Sequence, residues 1–235
     1  MRQVVLDTET TGLEIELGHR IIEVGCIELI NRKLTGKRFH RYINPGRQIE
    51  VGAHAVHGIT AEFLQDKPMF GDIVHELMDF ILGSELIIHN APFDVGFLDY
   101  ELKICNTKWT SVTHHCKIVD SLIIARQLHV GQRNSLDALC KRYSVDNSRR
   151  EFHGALLDAH LLAQVYLSMT GGQSSLFDEQ SKVETQAFGN VDQDVISKIY
   201  NLIVIPPTAD ESRAHEEKLQ AMQKKGRCLW TELLS

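Results

Sequence analysis

The sequence predicts an α/β domain over residues 1–170, followed by a C-terminal appendage. Three observations predict it. The first 45 residues read as extended apolar runs broken by polar turns. From residue 69 onward, stretches with helical periodicity alternate with short apolar runs. That pattern stops at Gly171-Gly172, where the composition turns polar. With 43% hydrophobic and 24% charged residues and only five prolines among 235 residues, the chain can bury a sizeable core, which excludes wholesale disorder and collagen-like or mucin-like stalks.

The elements follow in order. "QVVL" at 3–6 reads as a strand running into "DTETTG", with a turn at Gly12. "RIIEVGCIELI" at 20–30 and "GKRFHRYINP" at 36–45 read as the next two strands of a meander, joined by the polar "NRKLT". Phe70, Ile73, Val74, Leu77, Phe80 and Ile81 recur at helical spacing within 69–82, and "ELIIH" at 85–89 reads as a buried strand. In "HNAPFDVGFLDYEL", Asn90 suits a helix cap, Pro92 suits a first turn, and Phe93, Phe97 and Leu98 mark an apolar face. A short strand near "HCKIVDS" and helices over 121–128, 136–143 and 155–169 complete the domain. Beyond it, "VISKIYNLIVIPP" offers a strand-like run, and "ADESRAHEEKLQAMQKK" offers a helix with His215, Leu219 and Met222 along one stripe.

The formal charge of −6 argues against affinity resting on a broad basic surface. It leaves room for nucleic acid held locally through metals and backbone donors. Cys26, Cys105, Cys116, Cys140 and Cys228 are odd in number and contain no C-x-x-C pair, which suits core thiols in a reducing cytosol. No 18-residue apolar run is present and the N-terminus reaches Asp7 early, so neither a membrane span nor a signal peptide is expected, and the chain is expected in the cytoplasm.

The chemistry sits in the carboxylates. Asp7 and Glu9 stand two apart in extended chain, so both side chains share a face and can converge on a hard cation, while Leu6 and Thr8 face the other way. Taken alone, they equally suit a solvated strand end. Asp158 lies within an apolar helix, where it either borders solvent, meets an arginine or coordinates a metal. Asp94 opens the helix after strand 85–89. His153, before Gly154, reads as a flexible residue ahead of the helix, suited to a surface position or to a mobile base, and His89 reads as a core residue satisfied by backbone.

Together these residues resemble the histidine-containing branch of the DEDD exonuclease superfamily, and within it the proofreading 3′-to-5′ exonuclease subunits of bacterial replicative DNA polymerases. Three ordered motifs carry the resemblance across residues 2–170: "VVLDTETTGL", "HNAPFDVGFLDYEL" and "FHGALLDAHLLAQVY". It implies a ribonuclease-H-like fold, with a mixed central sheet of about five strands flanked by helices. It implies Asp7, Glu9, Asp94 and Asp158 as ligands of two divalent ions, Mg²⁺ or Mn²⁺, and His153 as the catalytic base. It further implies that Thr10, Thr11, Gly12, Leu13 and Phe93 contact the terminal nucleotide. His57 joins them through "AVHGIT" at 55–60, which is similar to a segment near the nucleotide pocket. The substrate would be a single-stranded or frayed DNA 3′ end, released as nucleoside 5′-monophosphates.

The appendage extends this reading. Residues 171–192 read as a linker holding "QSSLF", which is similar to sliding-clamp docking motifs, with Gln173 in one subsite and Leu176 and Phe177 in an apolar one. Residues 193–235 resemble a polymerase-binding tail with Trp230 as an aromatic anchor. The implied partners are the alpha subunit of DNA polymerase III, the sliding clamp and a small theta-like accessory subunit, at the replication fork. Two other functions stay open at this point: a related RNA-trimming exonuclease, and a non-enzymatic replisome scaffold.

Overall fold

The computed structural model describes residues 1–148, 152–171 and 206–224. Its contacts divide the chain into Met1–Glu179 and Gln180–Ser235. In the first unit, five strands form one mixed sheet in the order β3-β2-β1-β4-β5, the sheet expected from the resemblance. These are β1 (Arg2–Thr10), β2 (Ile21–Ile30), β3 (Lys33–Tyr42), β4 (Glu85–Ile88) and β5 (Lys117–Asp120). β2 is antiparallel to both β1 and β3, whereas β4 runs parallel to β1 and β5. The β2–β3 turn is shorter than "NRKLT" suggests. Asn31 and Arg32 alone make it, at φ 49° and 63°, the left-handed pair that a tight hairpin turn requires, so Lys33–Thr35 join β3.

Helices cover both faces. Val4 and Leu6 of β1, with Leu86 and Ile88 of β4, pack in one core with α3 (Phe70–Ile81) and α4 (Ala91–Ile104). Val5 and Ile87 point into the other core with α5 (Ser121–Leu128), α6 (Leu136–Arg142) and α7 (Ala155–Thr170). This is strict strand alternation in a sheet buried on both sides. Two short helices that periodicity does not reveal, α1 (Val51–His57) and α2 (Ala61–Leu64), lie between β3 and α3. α1 ends on Gly58, whose φ of 67° is the left-handed cap glycine tolerates best.

Two details fix the positions of the helices that matter below. α7 packs across β1 and β2, and a Cβ at Gly25 would lie 2.3 Å from the backbone of Ala155 and Leu156. Gly25 is the β2 partner of Asp7, so the close approach brings the start of α7 over the acidic end of β1. On the other face, fully buried Glu101 of α4 accepts two hydrogen bonds from Arg20, at 2.7 and 2.6 Å, and one from the Ile21 amide at 3.2 Å. That fork ties α4 to the start of β2, and its geometry offsets the cost of burying the charge.

In the second unit, α8 (Ala209–Gln223) begins at Thr208, which with Glu211 forms a capping box. Among the described residues, no helix is long and apolar enough to cross a membrane. Among the described residues Cys26, Cys105, Cys116 and Cys140 form no disulfide, and all but the half-buried Cys105 are buried; Cys228 lies outside the described residues.

Candidate active site

β1, α4 and α7 converge on a hollow of about 250 Å³ lined by Asp7, Glu9, Asp94, His153 and Asp158. Asp7 and Glu9 continue the face of β1 that Val5 begins, which points toward α7. Asp158 comes from the first turn of α7 and is 3% exposed, as is Asp94 from the first turn of α4. Ligand atoms of Glu9, His153 and Asp158 lie within 4.8 Å of one another. His153 is held rather than loose: its amide donates to the Val56 carbonyl of α1 at 3.1 Å, and its Nδ1 lies 3.2 Å from Asp158 Oδ2. Gly154, at φ −155°, is ordinary extended backbone, so its position supplies no special freedom to His153.

Asp94 is the acid whose environment is most revealing. Burial pushes its carboxyl up to about 7, against the pull of the Thr8 hydroxyl, which donates to Oδ1 at 2.7 Å. A carboxylate this deep is costly unless a proton or a cation compensates it. Five carboxylates line this one small hollow, Asp137 among them, and make the same demand, and such hard oxygen donors suit a divalent cation. α4 itself is capped unexpectedly. Asn90 takes a left-handed conformation, φ 67°, and makes no side-chain cap. The Asp120 carboxylate at the end of β5 accepts instead from the amides of Asn90 and Ala91, at 3.3 and 3.2 Å, while also capping α5 through Leu122 and Ile123.

A second hollow, about 400 Å³, adjoins the first through Thr8, Glu9 and Phe93 and is lined by Thr10, Gly12, Leu13 and His57. His57 Nδ1 accepts from the Ile59 amide at 3.0 Å, which leaves Nε2–H buried without a hydrogen-bond partner. Burial, reinforced by His54, lowers its pKa, favouring this neutral donor form. Thr11 is placed differently from the expectation. Its side chain is fully buried against His19 Nδ1 at 2.9 Å, and its backbone is occupied by Arg20 and Glu50, so it shapes the loop and leaves contact to its neighbours. Residues that sequence reasoning missed also line the acid hollow: His89, Asn90, Ser135, Leu136 and Asp137. His89 is satisfied by a side chain, with Nδ1 2.9 Å from Ser121 Oγ. The clamp-docking residues Gln173, Leu176 and Phe177 and the anchor Trp230 lie outside the described residues.

The exonuclease family RNase_T matches residues 4–166. Across nearly the whole chain, the DNA polymerase III subunit epsilon of Salmonella typhimurium is 50% identical over 235 residues, covering 97% of each chain. Its counterparts in Escherichia coli and Haemophilus influenzae are each 49% identical over 97% of this chain, covering 97% and 94% of theirs. The chain belongs to the DNA polymerase III epsilon-subunit family of exonucleases. A member of the epsilon family, it is a metal-dependent 3′-to-5′ exonuclease that acts in proofreading. Among solved structures, exonuclease X in complex with 5′ overhanging duplex DNA superposes with a TM-score of 0.57 at 25% identity, covering 73% of this chain and 92% of that one. Escherichia coli exonuclease I with a dA16 oligonucleotide reaches 0.61 at 18% identity over 76% of this chain and 42% of that one, a likeness of fold alone. The ribonuclease-H-like architecture expected of the epsilon family is therefore present, and the scaffold alternative is set aside.

Proposed function

We propose that the chain removes the terminal nucleotide of a DNA 3′ end by hydrolysis at the hollow formed by Asp7, Glu9, Asp94, Asp158 and His153. The convergence of these five side chains from β1, α4, α7 and the residues just before α7 supports the reading. Asp7, Glu9, Asp94 and Asp158 would hold two divalent ions, Mg²⁺ or Mn²⁺. Such ions supply Lewis-acid polarisation of the phosphate, a more acidic water and charge compensation for the leaving 3′-oxygen.

The chain's own residues do the rest. His153 Nδ1 lies 3.2 Å from Asp158 Oδ2, and its imidazole would take the proton of the attacking water. The Asp158 carboxylate would orient the ring of that base. Thr8 holds Asp94 in one orientation through its hydroxyl. The hollow beside Glu9 takes the terminal nucleoside, with Leu13 and Phe93 as apolar surfaces and His57 Nε2–H as a donor. None of these groups reads a base edge, so selection falls on the ease of fraying: a mismatched end costs less to unpair and enters more often.

The domain division 1–170, 171–192 and 193–235 belongs to the same proposal, as does action in the cytoplasm at the replication fork. Gln173, Leu176 and Phe177 would dock on the sliding clamp, the tail with Trp230 on the polymerase alpha subunit, and a small theta-like subunit would complete the assembly. The names of the relatives, subunits of DNA polymerase III, support association with a polymerase. Tethering keeps a dilute, acidic nuclease near the primer end. The test is His153→Ala, expected to keep single-strand binding and to slow hydrolysis about 10²–10⁴-fold. Near-wild-type turnover would remove His153 from the base role.

A further inference from the structure

A third hollow, about 560 Å³, opens beside the acid hollow and shares His89, Asn90 and Ser135 with it. Its remaining wall includes Arg126 of α5 and the loop from His129 to Asn134. The acid hollow thus has a neighbour on each side, and their charges differ. Glu9 and Glu50 are the acids of the first neighbour, the nucleoside hollow, and among the described residues no lysine or arginine lines it. Arg126 lines the other neighbour, and among the described residues no acid does. Among the described residues no acidic side chain pairs with Arg126.

The substrate has the same asymmetry. At a 3′ end, one side of the scissile phosphate carries a single nucleoside with no further charge. The other side, which bears the leaving 3′-oxygen, carries another phosphate one nucleotide on. The uncharged product side suits the apolar hollow of Leu13, Val56 and Phe93, and the charged strand side suits the hollow with the unpaired cation.

The loop in this wall is built to hold a shape. Asn134, 8% exposed, donates through Nδ2 to the carbonyls of His129 and Gln132, at 3.3 and 3.1 Å, and its Oδ1 accepts from Arg142 at 3.2 Å. Gly131 makes the turn at φ 73°. Gln132 and Asn90 line the hollow together with Arg126, so side-chain amides accompany the guanidinium there.

We propose that this hollow seats the DNA phosphate immediately 5′ of the scissile one, with Arg126 as its cationic contact and the Asn90 and Gln132 amides as supporting donors. The proposal rests on the nuclease reading above and assigns it a direction: the strand enters past Arg126, and the terminal nucleoside ends beyond Glu9. Arg126 would bind and position substrate, with no part in the proton transfers.

The experiment compares two substrates that differ in this phosphate: a single-stranded DNA oligonucleotide, and the p-nitrophenyl ester of thymidine 5′-monophosphate, whose leaving group carries none. In Arg126→Ala, the ratio of kcat/KM for the oligonucleotide to that for the ester is expected to fall about tenfold, through the oligonucleotide KM. The dependence of log KM on log salt should lose about 0.7 of slope, the share of one single-strand phosphate contact. Arg126→Lys should recover most of the ratio. An unchanged ratio and salt slope in Arg126→Ala would overturn the proposal while leaving the nuclease reading intact. Failure of the wild-type protein to hydrolyse either substrate would overturn both.

Discussion

Gly25→Ala tests whether the site depends on how closely α7 approaches the sheet. The added Cβ would fall 2.3 Å from the Ala155 carbonyl carbon and the Leu156 nitrogen, and 2.5 Å from the Ala155 oxygen. Ordinary contact begins at 3.4 Å, and backbone atoms cannot rotate aside, so the start of α7 must retreat by about 1 Å. Overpacking of this kind costs about 1–3 kcal/mol. For a domain of this size, that lowers Tm by about 2–12 °C. The effect on activity should exceed the effect on stability. Asp158 lies one turn along the same helix and pairs with His153, and a misplacement of about 1 Å in a catalytic array costs on the order of 10²-fold. The assay is mononucleotide release from single-stranded DNA well below the Tm, with Gly71→Ala as control, where the new Cβ meets only Cys105 Sγ at 3.5 Å. Wild-type activity and Tm in Gly25→Ala would refute the reasoning, because α7 would then have room that the structure does not show.

Three further outcomes are expected. Arg20→Leu strands the buried Glu101 carboxylate and should destabilise the protein by about 3–5 kcal/mol, read by denaturant unfolding, and a cost below about 1 kcal/mol would show the fork to be dispensable. The Arg2 guanidinium, with Thr35 and Lys37 aiding, holds Glu28 below the usual carboxylate range despite its burial. Its contribution is therefore complete above the ordinary value of 4.5 and is lost as pH falls through the lower folded value, so the stability advantage of wild type over Glu28→Gln should shrink on acidification. Asp94 behaves oppositely. Its raised value near 7 makes metal-free stability fall as pH rises from about 3.8 to about 7, so in EDTA at pH 8 Asp94→Asn should melt above wild type, and added Mn²⁺ should raise the Tm of wild type more than that of the variant. Equal metal-induced shifts would take Asp94 out of the ligand set.

Much of this was readable along the chain because strand alternation and helix periodicity are local. Asp7 and Glu9 share a face for the same reason that Val5 does, and the position of Asp158 in an apolar helix already narrowed it to solvent, an arginine or a metal. What escaped was either short or distant. α1 is seven residues long with Gly52 inside it, and α2 is a single turn, so neither builds a periodic stripe, yet α1 supplies His57 and holds the His153 amide. The resemblance places Thr11 among the substrate contacts, but His19, eight residues on, takes its side chain inward. Asp120 caps α4 across 30 residues, a role Asn90 was expected to fill from beside the helix, and only the parallel pairing of β4 and β5 brings it there. Nothing local to Gly25 in its strand marks the close approach of α7, which comes from about 130 residues further along the chain.

The central claim is that Asp7, Glu9, Asp94, Asp158 and His153 form one metal-dependent hydrolytic site. Its most direct test is the release of nucleoside 5′-monophosphates from a primer with a mismatched 3′ terminus, in Mg²⁺ and in EDTA, for the wild-type chain and Asp158→Asn. The account predicts release by wild type in Mg²⁺, none in EDTA, and a loss of at least about 10²-fold in Asp158→Asn with DNA binding retained. Release that persists in EDTA, or at the wild-type rate in Asp158→Asn, would contradict it.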